Sequence, residues 1–559
     1  MRIQKLVVSA VAAFATVLFA GTASARDLYV ATSGNDASDG SLAAPFATIK
    51  KASSVALPGD VVNVRGGVYY GTGAGIMAKG TATARITFQS YPGETAIIDG
   101  TGTAAATDLF NLYKAEYVDV AGFEIRNSTR IGLNIYACKN IHARNNHIHH
   151  NVRNAVYVGA STVGISADIY IENNDVHDNA LENQNLTMVD GGWAGAVTLS
   201  QTTRGAITGN RVYRNYGEGM GSGMSSNVTI SGNEISDNYS GYIYIDNGQN
   251  MTVSKNLLYN TGDTRFYRLG KPAPGIGIAN EFVSSPMPSS DITITNNIVI
   301  NCRWGFYYGK FEAGGGLKNV TVANNTFYKA TDALVNIELD NHTNSFVKNN
   351  VFYQVGNGVA TVAGAGVTFA SNLWYGGAPT GIAASATDSY GDPRFVNGGG
   401  FRAGDYKITT GSAASARGAD LTVSTDYFGN SRTLPLDLGA HQLGATVAAA
   451  DLEAPLTPGN LRTIGGSASG VTLGWDAATD NVGVTGYVII RNGVTMGTIT
   501  TTSWTDNAMA KATIYRYQII AIDAAGNKSA ATSTLELAWN SSSTESPAPS
   551  TGRRRSAGK

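Results

Sequence analysis

An asparagine recurs at the end of nine short apolar strands in the middle of the chain, and this repeat restricts the fold more than any other feature. The residues three and five places before each asparagine are mostly apolar, as Ile169 and Ile171 are before Asn174. Alternation with a period of two predicts a β-strand, and strand-sized units that repeat at a near-constant interval predict a solenoid. The nine strand ends read Arg144-Asn145-Asn146, Glu172-Asn173-Asn174, Thr208-Gly209-Asn210, Ser231-Gly232-Asn233, Ser254-Lys255-Asn256, Thr295-Asn296-Asn297, Ala323-Asn324-Asn325, Lys348-Asn349-Asn350 and Ala370-Ser371-Asn372.

The repeated asparagine predicts how the coils are held together. One amide at one turn position of each coil favours a ladder, in which every side chain bonds to the next along the solenoid. Asparagine tolerates a left-handed backbone, so we expect the ladder residue itself to adopt it. The sequence therefore predicts an all-β chain whose main domain is a right-handed parallel β-helix. Residues 46–56 have helical apolar spacing and should cover one open end of the coils.

Composition agrees with such a solenoid and excludes some partners. Charged residues make up only 14% of the chain, glycine is abundant at 67, and the net charge is −1. The net charge therefore produces no strong electrostatic potential that would favour binding to nucleic acid or to an anionic membrane. Cys138 and Cys302 lie several coils apart, and neighbouring strands are spaced about 4.8 Å, so we expect two buried free thiols.

The ends of the chain predict export and a second domain. Arg2 and Lys5 precede an apolar stretch, and Ala23-Ser24-Ala25 resembles a cleavage site, so we expect a secreted monomer without membrane insertion. Short alternating strands such as Tyr487–Ile490 predict a small β-sandwich near the C-terminus. We predict a signal peptide over residues 1–25, the β-helix with its cap over 26–443, a linker over 444–455, the β-sandwich over 456–538 and a disordered tail over 539–559.

Two insertions interrupt the coil spacing and predict a binding surface. The intervals from Asn174 to Asn210 and from Asn256 to Asn297 are 36 and 41 residues, whereas the two intervals between them are 23 each. The extra residues are approximately 180–192 and 262–274. Both insertions follow the asparagine turn and precede the next strand, so they should emerge on the same face. We therefore expect a groove with two short coils as its floor and an insertion on each side.

Alignment of the short coils places candidate residues in this groove. The segment from Tyr242 to Asp246 alternates, with Ile243 and Ile245 predicted inward and Tyr242, Tyr244 and Asp246 outward. Tyrosine and tryptophan faces stack on sugars, and acids on neighbouring coils suit glycosidase chemistry or a calcium ion. The predicted catalytic residues are Glu218, Tyr244, Asp246 and Lys271; the predicted substrate-binding residues are Asp190, Trp193, Tyr242, Arg265, Arg268, Tyr307 and Lys310; and the predicted Ca²⁺ ligands are Glu218, Asp246 and Glu281.

A second cluster contains histidines. His147, His149, His150, His177 and Asp178 fall on adjacent turns, with His149 predicted to stack on His177. Imidazole and carboxylate groups suit a transition metal, but a solvated ladder is the commoner outcome for such a pattern.

The N-terminal region resembles a known group of proteins. The motifs are Tyr29-Val30-Ala31-Thr32-Ser33-Gly34-Asn35-Asp36, Pro45-Phe46-Ala47-Thr48-Ile49, Pro58-Gly59-Asp60-Val61-Val62 and Tyr91-Pro92-Gly93-Glu94, with Asp392-Pro393-Arg394-Phe395 near the end. They look like those of secreted right-handed β-helix proteins, which include polysaccharide lyase family 9 (pectate lyases) and DUF1565-type proteins. The resemblance implies a pectate-lyase-like solenoid. The Asp-Asp calcium segment of that family has no counterpart here, so no catalytic lysine is carried over from it.

The C-terminal region resembles fibronectin type III modules. The resemblance rests on Leu473-Gly474-Trp475, Tyr487 and Tyr515 through Ala521. It implies a core position for Trp475 and a spacer role for the module.

Three hypotheses for function follow. The first is a polysaccharide lyase that cleaves a uronate-containing glycan by β-elimination, with Arg265, Arg268 and Lys271 neutralising the uronate and Tyr244 or Lys271 taking the proton. The second is a glycoside hydrolase that uses two of the three groove carboxyls. The third is a non-catalytic extracellular glycan-binding or adhesion protein, in which the acids should be scattered.

Overall fold

A computed structural model shows two compact units whose boundary lies between residues 447 and 448. The structure describes residues 25–71, 74–185, 193–281, 287–312, 314–356, 358–444, 453–467, 470–480, 483–507, 509, 513–523 and 526–539. The predicted signal peptide except Ala25, most of the predicted linker and all of the predicted tail except Trp539 lie outside these residues. Within them, no helix is both long enough and apolar enough to span a membrane.

The first unit is a parallel β-helix with three faces. Its first face is a sheet of thirteen parallel strands, one from each successive coil. They are Asp27–Val30, Val61–Val64, Ile86–Ser90, Glu116–Ala121, Lys139–Arg144, Ser166–Glu172, Thr202–Thr208, Ser226–Ser231, Gln249–Ser254, Ser290–Thr295, Thr321–Ala323, Ser345–Lys348 and Val367–Ala370.

The second and third faces join where two long strands, Ile298–Gly309 and Thr326–Ile337, contribute to both. The other strands of the second face are Gly67–Tyr70, Ala96–Asp99, Glu124–Arg126, His147–His149, Asp175–His177, Arg211–Tyr213, Glu234–Ser236, Leu257–Tyr259, Val351–Tyr353, Leu373–Tyr375 and Ser389–Tyr390. The other strands of the third face are Ala74–Ile76, Phe110–Tyr113, Leu133–Tyr136, Val156–Gly159, Gly195–Ser200, Glu218–Gly223, Ile243–Asp246, Ile276–Ala279 and Gly358–Val362. The predicted right-handed parallel β-helix is confirmed.

Inward apolar side chains fill the solenoid, as the alternating pattern predicts. Ile169, Ile171, Val228 and Ile230 are each at most 1% exposed and belong to one continuous core. Cys138 and Cys302 are buried free thiols.

The predicted asparagine ladder is present along the coils. Asn233, for example, donates from its Nδ2 atom to Asn256 Oδ1 at 2.9 Å and to the carbonyl oxygen of Ile207 at 2.9 Å. Its own Oδ1 accepts from the backbone nitrogen and the Nδ2 of Asn210. Each amide thus donates to both neighbouring coils and accepts from one of them, which few other side chains can do.

The expectation that the ladder residue is left-handed was wrong. Positive φ belongs to the residue before it, as at Asn145 (56°), Asn173 (54°) and Lys255 (56°). The turn is made by that preceding residue, and the ladder asparagine is free to point its amide inward. A second, shorter ladder at the next corner runs through Asn151, Asn179, Asn215 and Asn238.

The two ends of the solenoid differ. The predicted cap helix is present but shorter, from Ile49 to Val55, with Thr48 accepting from the Lys51 backbone at its N-terminus. Two short 3₁₀ helices, Gly381–Ala383 and Ala403–Tyr406, follow the last coils. The closing segment then packs on outer apolar residues of the second face, where Tyr406 and Ala440 contact a cluster with Tyr328.

The second unit is a seven-stranded β-sandwich. A three-stranded antiparallel sheet contains Gly459–Ser467, Gly470–Asp476 and Ser503–Asp506, and a four-stranded sheet contains Val494–Ile499, Val484–Arg491, Thr513–Asp523 and Leu535–Trp539. This three-plus-four order is that of a fibronectin type III domain, as predicted. Trp475 is 3% exposed and lies in its core.

Candidate functional site

Four neighbouring strands of the third face form the floor of the predicted groove. They are Gly195–Ser200, the Glu218 strand (Glu218–Gly223), the Tyr244 strand (Ile243–Asp246) and the Gly277 strand (Ile276–Ala279), and they pair in parallel in that order. Because coils of a solenoid stack in register, side chains with the same outward position lie in lines across these strands.

The described parts of both predicted insertions lie next to this floor. The first includes the 3₁₀ turn Leu181–Asn183, its residues 186–192 lie outside the described residues, and Trp193 follows it directly before the floor. The second contains the 3₁₀ turn Thr264–Phe266 and the Arg268–Lys271 bridge. The Arg268 guanidinium lies 4.8 Å from the centre of the Trp193 ring, so the two walls meet over the floor.

An open cavity of about 540 Å³ lies between these walls. Seven of the predicted site residues line it: Trp193, Glu218, Tyr244, Asp246, Arg268, Glu281 and Tyr307. These seven residues supply three carboxyl groups, three aromatic rings and one guanidinium to the cavity.

Two tyrosines cover the cavity floor because glycines leave room for them. Tyr244 pairs in register with Gly221 on one side and Gly277 on the other, and Gly277 pairs with Tyr307. The Tyr307 ring lies over Gly277, where a Cβ atom would be 2.1 Å from ring atom Cε1. The Tyr244 and Tyr307 rings are nearly parallel, at 13°, with centroids 6.4 Å apart.

The three carboxyl groups differ in their partners. The Tyr244 hydroxyl donates to Glu281 Oε1 at 2.6 Å, and the Glu281 backbone N–H donates to Asp246 Oδ1 at 2.8 Å. Among the described residues, none donates a hydrogen bond to the Glu218 carboxyl. Glu281 and Asp246 are therefore held in place, whereas the Glu218 carboxyl faces the cavity.

These surroundings separate the acidities of the carboxyl groups. Burial, together with the charges of Glu281 and Asp246, raises the pKa of Glu218 to about 8, and the charge of Arg268 opposes this rise. Burial also raises the pKa of Asp246 to about 6, against the hydrogen bond from the Glu281 backbone. At pH 7, Glu218 is mostly protonated and Asp246 is mostly ionised. Burial and the Glu281 contact raise the pKa of the Tyr244 hydroxyl far above its usual range.

Four predicted residues lie elsewhere. The prediction that Tyr242 points outward was wrong, because Tyr242 is fully buried and its hydroxyl contacts the Asp237 backbone N–H and the Asn260 side chain. Lys271 bonds to Asp332 at 2.7 Å, and Arg265 pairs with Asp263 at 2.6 Å. Lys310 is exposed and does not line the cavity. Asp190 lies outside the described residues.

The sequence did not single out several cavity residues. Thr198, Ser222, Ser240 and Phe311 also line the cavity. Ser240 Oγ lies 3.5 Å from Arg268 Nη1, and Ser222 is 2% exposed with no partner for its hydroxyl among the described residues. Register would have indicated Thr198, which pairs with Gly221 on the same outward line as Tyr244. Ser222 pairs with the inward Ile245, and Ser240 and Phe311 lie outside the strands, so register gave no signal for these three.

Replacing Gly277 by alanine should disturb the aromatic floor specifically. The added Cβ would overlap the Tyr307 ring, so the ring must leave its place beside Tyr244. A lost aromatic contact costs about 0.5–1.5 kcal/mol, so we expect KM for a glycan substrate to rise about 2- to 10-fold with kcat changed less. Gly75→Ala, on the same face but with open space at its Cβ, should leave KM unchanged; an equal rise in both variants would contradict the expectation.

Comparisons with known proteins agree with the fold. Residues 28–239 match the family model described as "Pel9A-like, right handed beta helix region", and residues 184–330 match "Right handed beta helix region". The solved structure titled "The complex structure of XylC with xylose" superposes with a TM-score of 0.53 at 15% identity, covering 75% of this chain and 98% of that one. These matches agree with the right-handed β-helix fold of the first unit, and residues 28–239 are similar to the Pel9A-like region.

Two curated relatives match different lengths of the chain. An uncharacterized protein, YwoF of Bacillus subtilis, is 26% identical over 338 residues, which are 54% of this chain and 68% of that protein. An alpha-amylase of Niallia circulans is 49% identical over 92 residues, which are 16% of this chain. The chain spans only 7% of the length of that alpha-amylase, so the match is the size of a single domain.

Proposed function

We propose that this chain is a polysaccharide-active enzyme and that its cavity hydrolyses glycosidic bonds, with Glu218 as general acid and Asp246 as general base or nucleophile. The observation that carries the proposal is the Glu218 carboxyl, which faces an open cavity beside two other carboxyl groups that are held by hydrogen bonds. Glycoside hydrolysis needs one carboxyl that is protonated and a second that is ionised at the working pH.

The aromatic rings supply the binding surface for a sugar. Tyr244 and Tyr307 present nearly parallel rings at the floor, and Trp193 forms part of the wall. Ring faces stack on the C–H surfaces of sugars, and phenol and indole groups bond to hydroxyls. The open cavity suits a chain that extends beyond one sugar unit.

The carboxyl groups would act in order. Glu218 gives its proton to the glycosidic oxygen of the leaving sugar, and Asp246 either activates a water molecule or attacks the sugar carbon. The hydrogen bond from Tyr244 keeps Glu281 in place, and the Glu281 backbone orients Asp246. Glu281 and Tyr244 thus position the base, while Arg268 lies where it can contact a substrate oxygen on the wall.

β-Elimination on a uronate-containing glycan is the second candidate, supported by the Pel9A-like match over residues 28–239. Glu218, Asp246 and Glu281 offer the oxygen ligands that Ca²⁺ prefers, and a bound Ca²⁺ would neutralise the uronate carboxylate. The geometry favours hydrolysis because Lys271 is paired with Asp332 outside the cavity. Tyr244, the other predicted base, donates its proton to Glu281 and is a weak acid.

The non-catalytic hypothesis predicts scattered acids, and convergence of Glu218, Asp246 and Glu281 on one cavity counts against it. We also propose that the protein is exported, because of its N-terminal charged and apolar pattern. The fibronectin type III domain would then act as a spacer outside the cell.

The pH dependence of cleavage tests the assignment of acid and base. Activity requires a protonated Glu218 and an ionised Asp246, so kcat/KM should fall above about pH 8 and below about pH 6. The measurement is the initial rate of reducing-end release from a glycan substrate across pH 4–10, with stability checked at each pH. In Asp246→Asn the remaining activity should lose its acidic limb; an unchanged acidic limb would count against Asp246 as the base.

A further inference from the structure

A cluster of imidazoles and a carboxylate lies on the outer surface of the second face, away from the cavity lining. Its residues come from three consecutive strands: Glu124–Arg126, His147–His149 and Asp175–His177. The strands pair so that His147 lies beside Glu124, and His149 lies beside His177. The proposed cleavage reaction uses none of these groups.

The ligand atoms of this cluster converge on one point. One ligand atom each from Glu124, His147 and His149 all lie within 4.8 Å of one another. His149 Nε2 is 3.4 Å from Glu124 Oε1, and His147 Nε2 is 2.8 Å from His177 Nε2. Ligands at about 2.0–2.1 Å from a tetrahedral Zn²⁺ lie about 3.3 Å apart, which is close to the His149–Glu124 separation of 3.4 Å.

We propose that Glu124, His147 and His149 form a binding site for one Zn²⁺ ion. This donor set of two imidazoles and one carboxylate suits Zn²⁺ better than Ca²⁺, which prefers oxygen ligands only. The ion would join two successive coils. It would therefore stabilise the N-terminal half of the solenoid, where each coil otherwise contacts only its neighbours.

Other groups orient the histidines as they do around zinc ions. His177 Nδ1 is 2.7 Å from Asp178 Oδ2, and Arg214 in turn bonds to Asp178 at 2.6 Å. His149 Nδ1 is 2.7 Å from His150 Nδ1. With the Nδ1 atom of His149 engaged, its Nε2 atom is directed to Glu124, and His177 contacts His147 through its own Nε2 atom. A hydrogen bond to the second ring nitrogen is the usual companion of a metal-bound histidine.

Acidic neighbours also suit a cation. Asp175, the register partner of His147, adds a second carboxylate beside the cluster. Glu124 is shared with Arg126, whose Nη1 lies 2.6 Å from Oε1, so metal binding must displace or share that contact.

The experiment titrates Zn²⁺ into the full chain without an oligohistidine tag, after treatment with a chelator and desalting. At pH 7.5, isothermal titration calorimetry should show one ion per chain, and the melting temperature should rise with Zn²⁺. His147→Ala and His149→Ala should each weaken binding about 100-fold or more and abolish the rise. His142→Ala removes a histidine paired with Glu172 on the first face and should change neither.

Co²⁺ provides a second probe, which uses visible absorption instead of calorimetry or thermal unfolding. Its visible absorption should report a tetrahedral site in the wild-type protein and in His142→Ala, and be lost in His147→Ala and His149→Ala. The proposal is overturned if wild type binds no Zn²⁺ at concentrations up to about 1 mM, on the order of the dissociation constant of a weak surface site. It is overturned equally if all three variants bind as wild type does, which would locate the ion elsewhere. Circular dichroism of each variant distinguishes loss of the site from loss of the fold.

Discussion

Replacing Glu218 by glutamine should lower kcat/KM for glycan cleavage by about 10²–10⁴-fold, the contribution typical of a general acid. Glutamine has nearly the same shape but cannot give a proton to the leaving sugar. The aromatic floor and Arg268 remain, so substrate affinity should change little. The measurement is the rate of reducing-end release at pH 7, together with the affinity of the variant for the uncleaved glycan.

A matched control is available on the second face. Glu234 accepts a hydrogen bond from Tyr259 at 2.7 Å, which resembles the Tyr244–Glu281 pair, but it lies outside the cavity lining. Glu234→Gln should leave kcat/KM within about 2-fold of wild type, because glutamine keeps an oxygen that can accept the hydrogen bond from Tyr259. Equal losses in both variants would mean that the effect comes from the fold and not from the cavity.

Glu218→Gln should also make the stability of the fold less sensitive to high pH. Because the pKa of Glu218 is higher in the folded chain (about 8) than its usual value of 4.5, its contribution to stability is complete below pH 4.5. That contribution falls as the pH rises through about 8, by about 1.4 kcal/mol per pH unit over the shifted range. Glu218→Gln cannot ionise, so its melting temperature relative to wild type should be higher at pH 9 than at pH 5.

Removing one rung of the asparagine ladder should cause the largest loss of stability. In Asn233→Ala, the Asn210 backbone N–H, one hydrogen of Asn210 Nδ2 and the Ile207 carbonyl each lose a buried partner. An unpaired buried group costs about 1–3 kcal/mol, so we expect the free energy of unfolding to fall by about 3–6 kcal/mol. Chemical denaturation of the full chain, followed by circular dichroism, measures the difference.

Asn341→Ala is the control for the ladder. The Asn341 side chain is exposed. The Asn341 backbone N–H donates a hydrogen bond to Asp340 Oδ1, and alanine would keep this bond. Its free energy of unfolding should stay within about 0.5 kcal/mol of wild type. If Asn233→Ala were no more destabilising than Asn341→Ala, the ladder would contribute nothing beyond surface solvation.

The ladder and the cavity floor could be predicted from the sequence because both follow from register. A stacked coil places each residue beside its equivalent in the next coil, so equal spacing from Asn210 to Asn233 to Asn256 fixed the neighbours of Glu218 and Tyr244. The left-handed backbone was assigned to the wrong residue because two roles of the turn were given to one asparagine. In each turn the side chain that bonds across coils and the backbone that reverses belong to different residues.

The remaining errors have physical causes as well. Alternation holds only inside a strand, and Tyr242 precedes the strand that begins at Ile243, so its side chain turns into the core instead of outward. Lys271 and Arg265 lie on an insertion, where spacing does not determine direction, and nearby acids (Asp332 and Asp263) pair with them. The stacking of Tyr307 beside Tyr244 requires a glycine at position 277, and no role was predicted for the absence of a side chain there.

Product analysis of a glycan panel distinguishes hydrolysis in this cavity from β-elimination. Wild type and Glu218→Gln are incubated with neutral and uronate-containing polysaccharides, with and without a chelator. The products are followed by mass spectrometry and by absorbance near 235 nm, about the unsaturated-uronate band. We expect products that each carry one added water, without that absorbance, from wild type and not from Glu218→Gln. Unsaturated products that require a metal would contradict hydrolysis, and products that Glu218→Gln forms at the wild-type rate would contradict this cavity as the site.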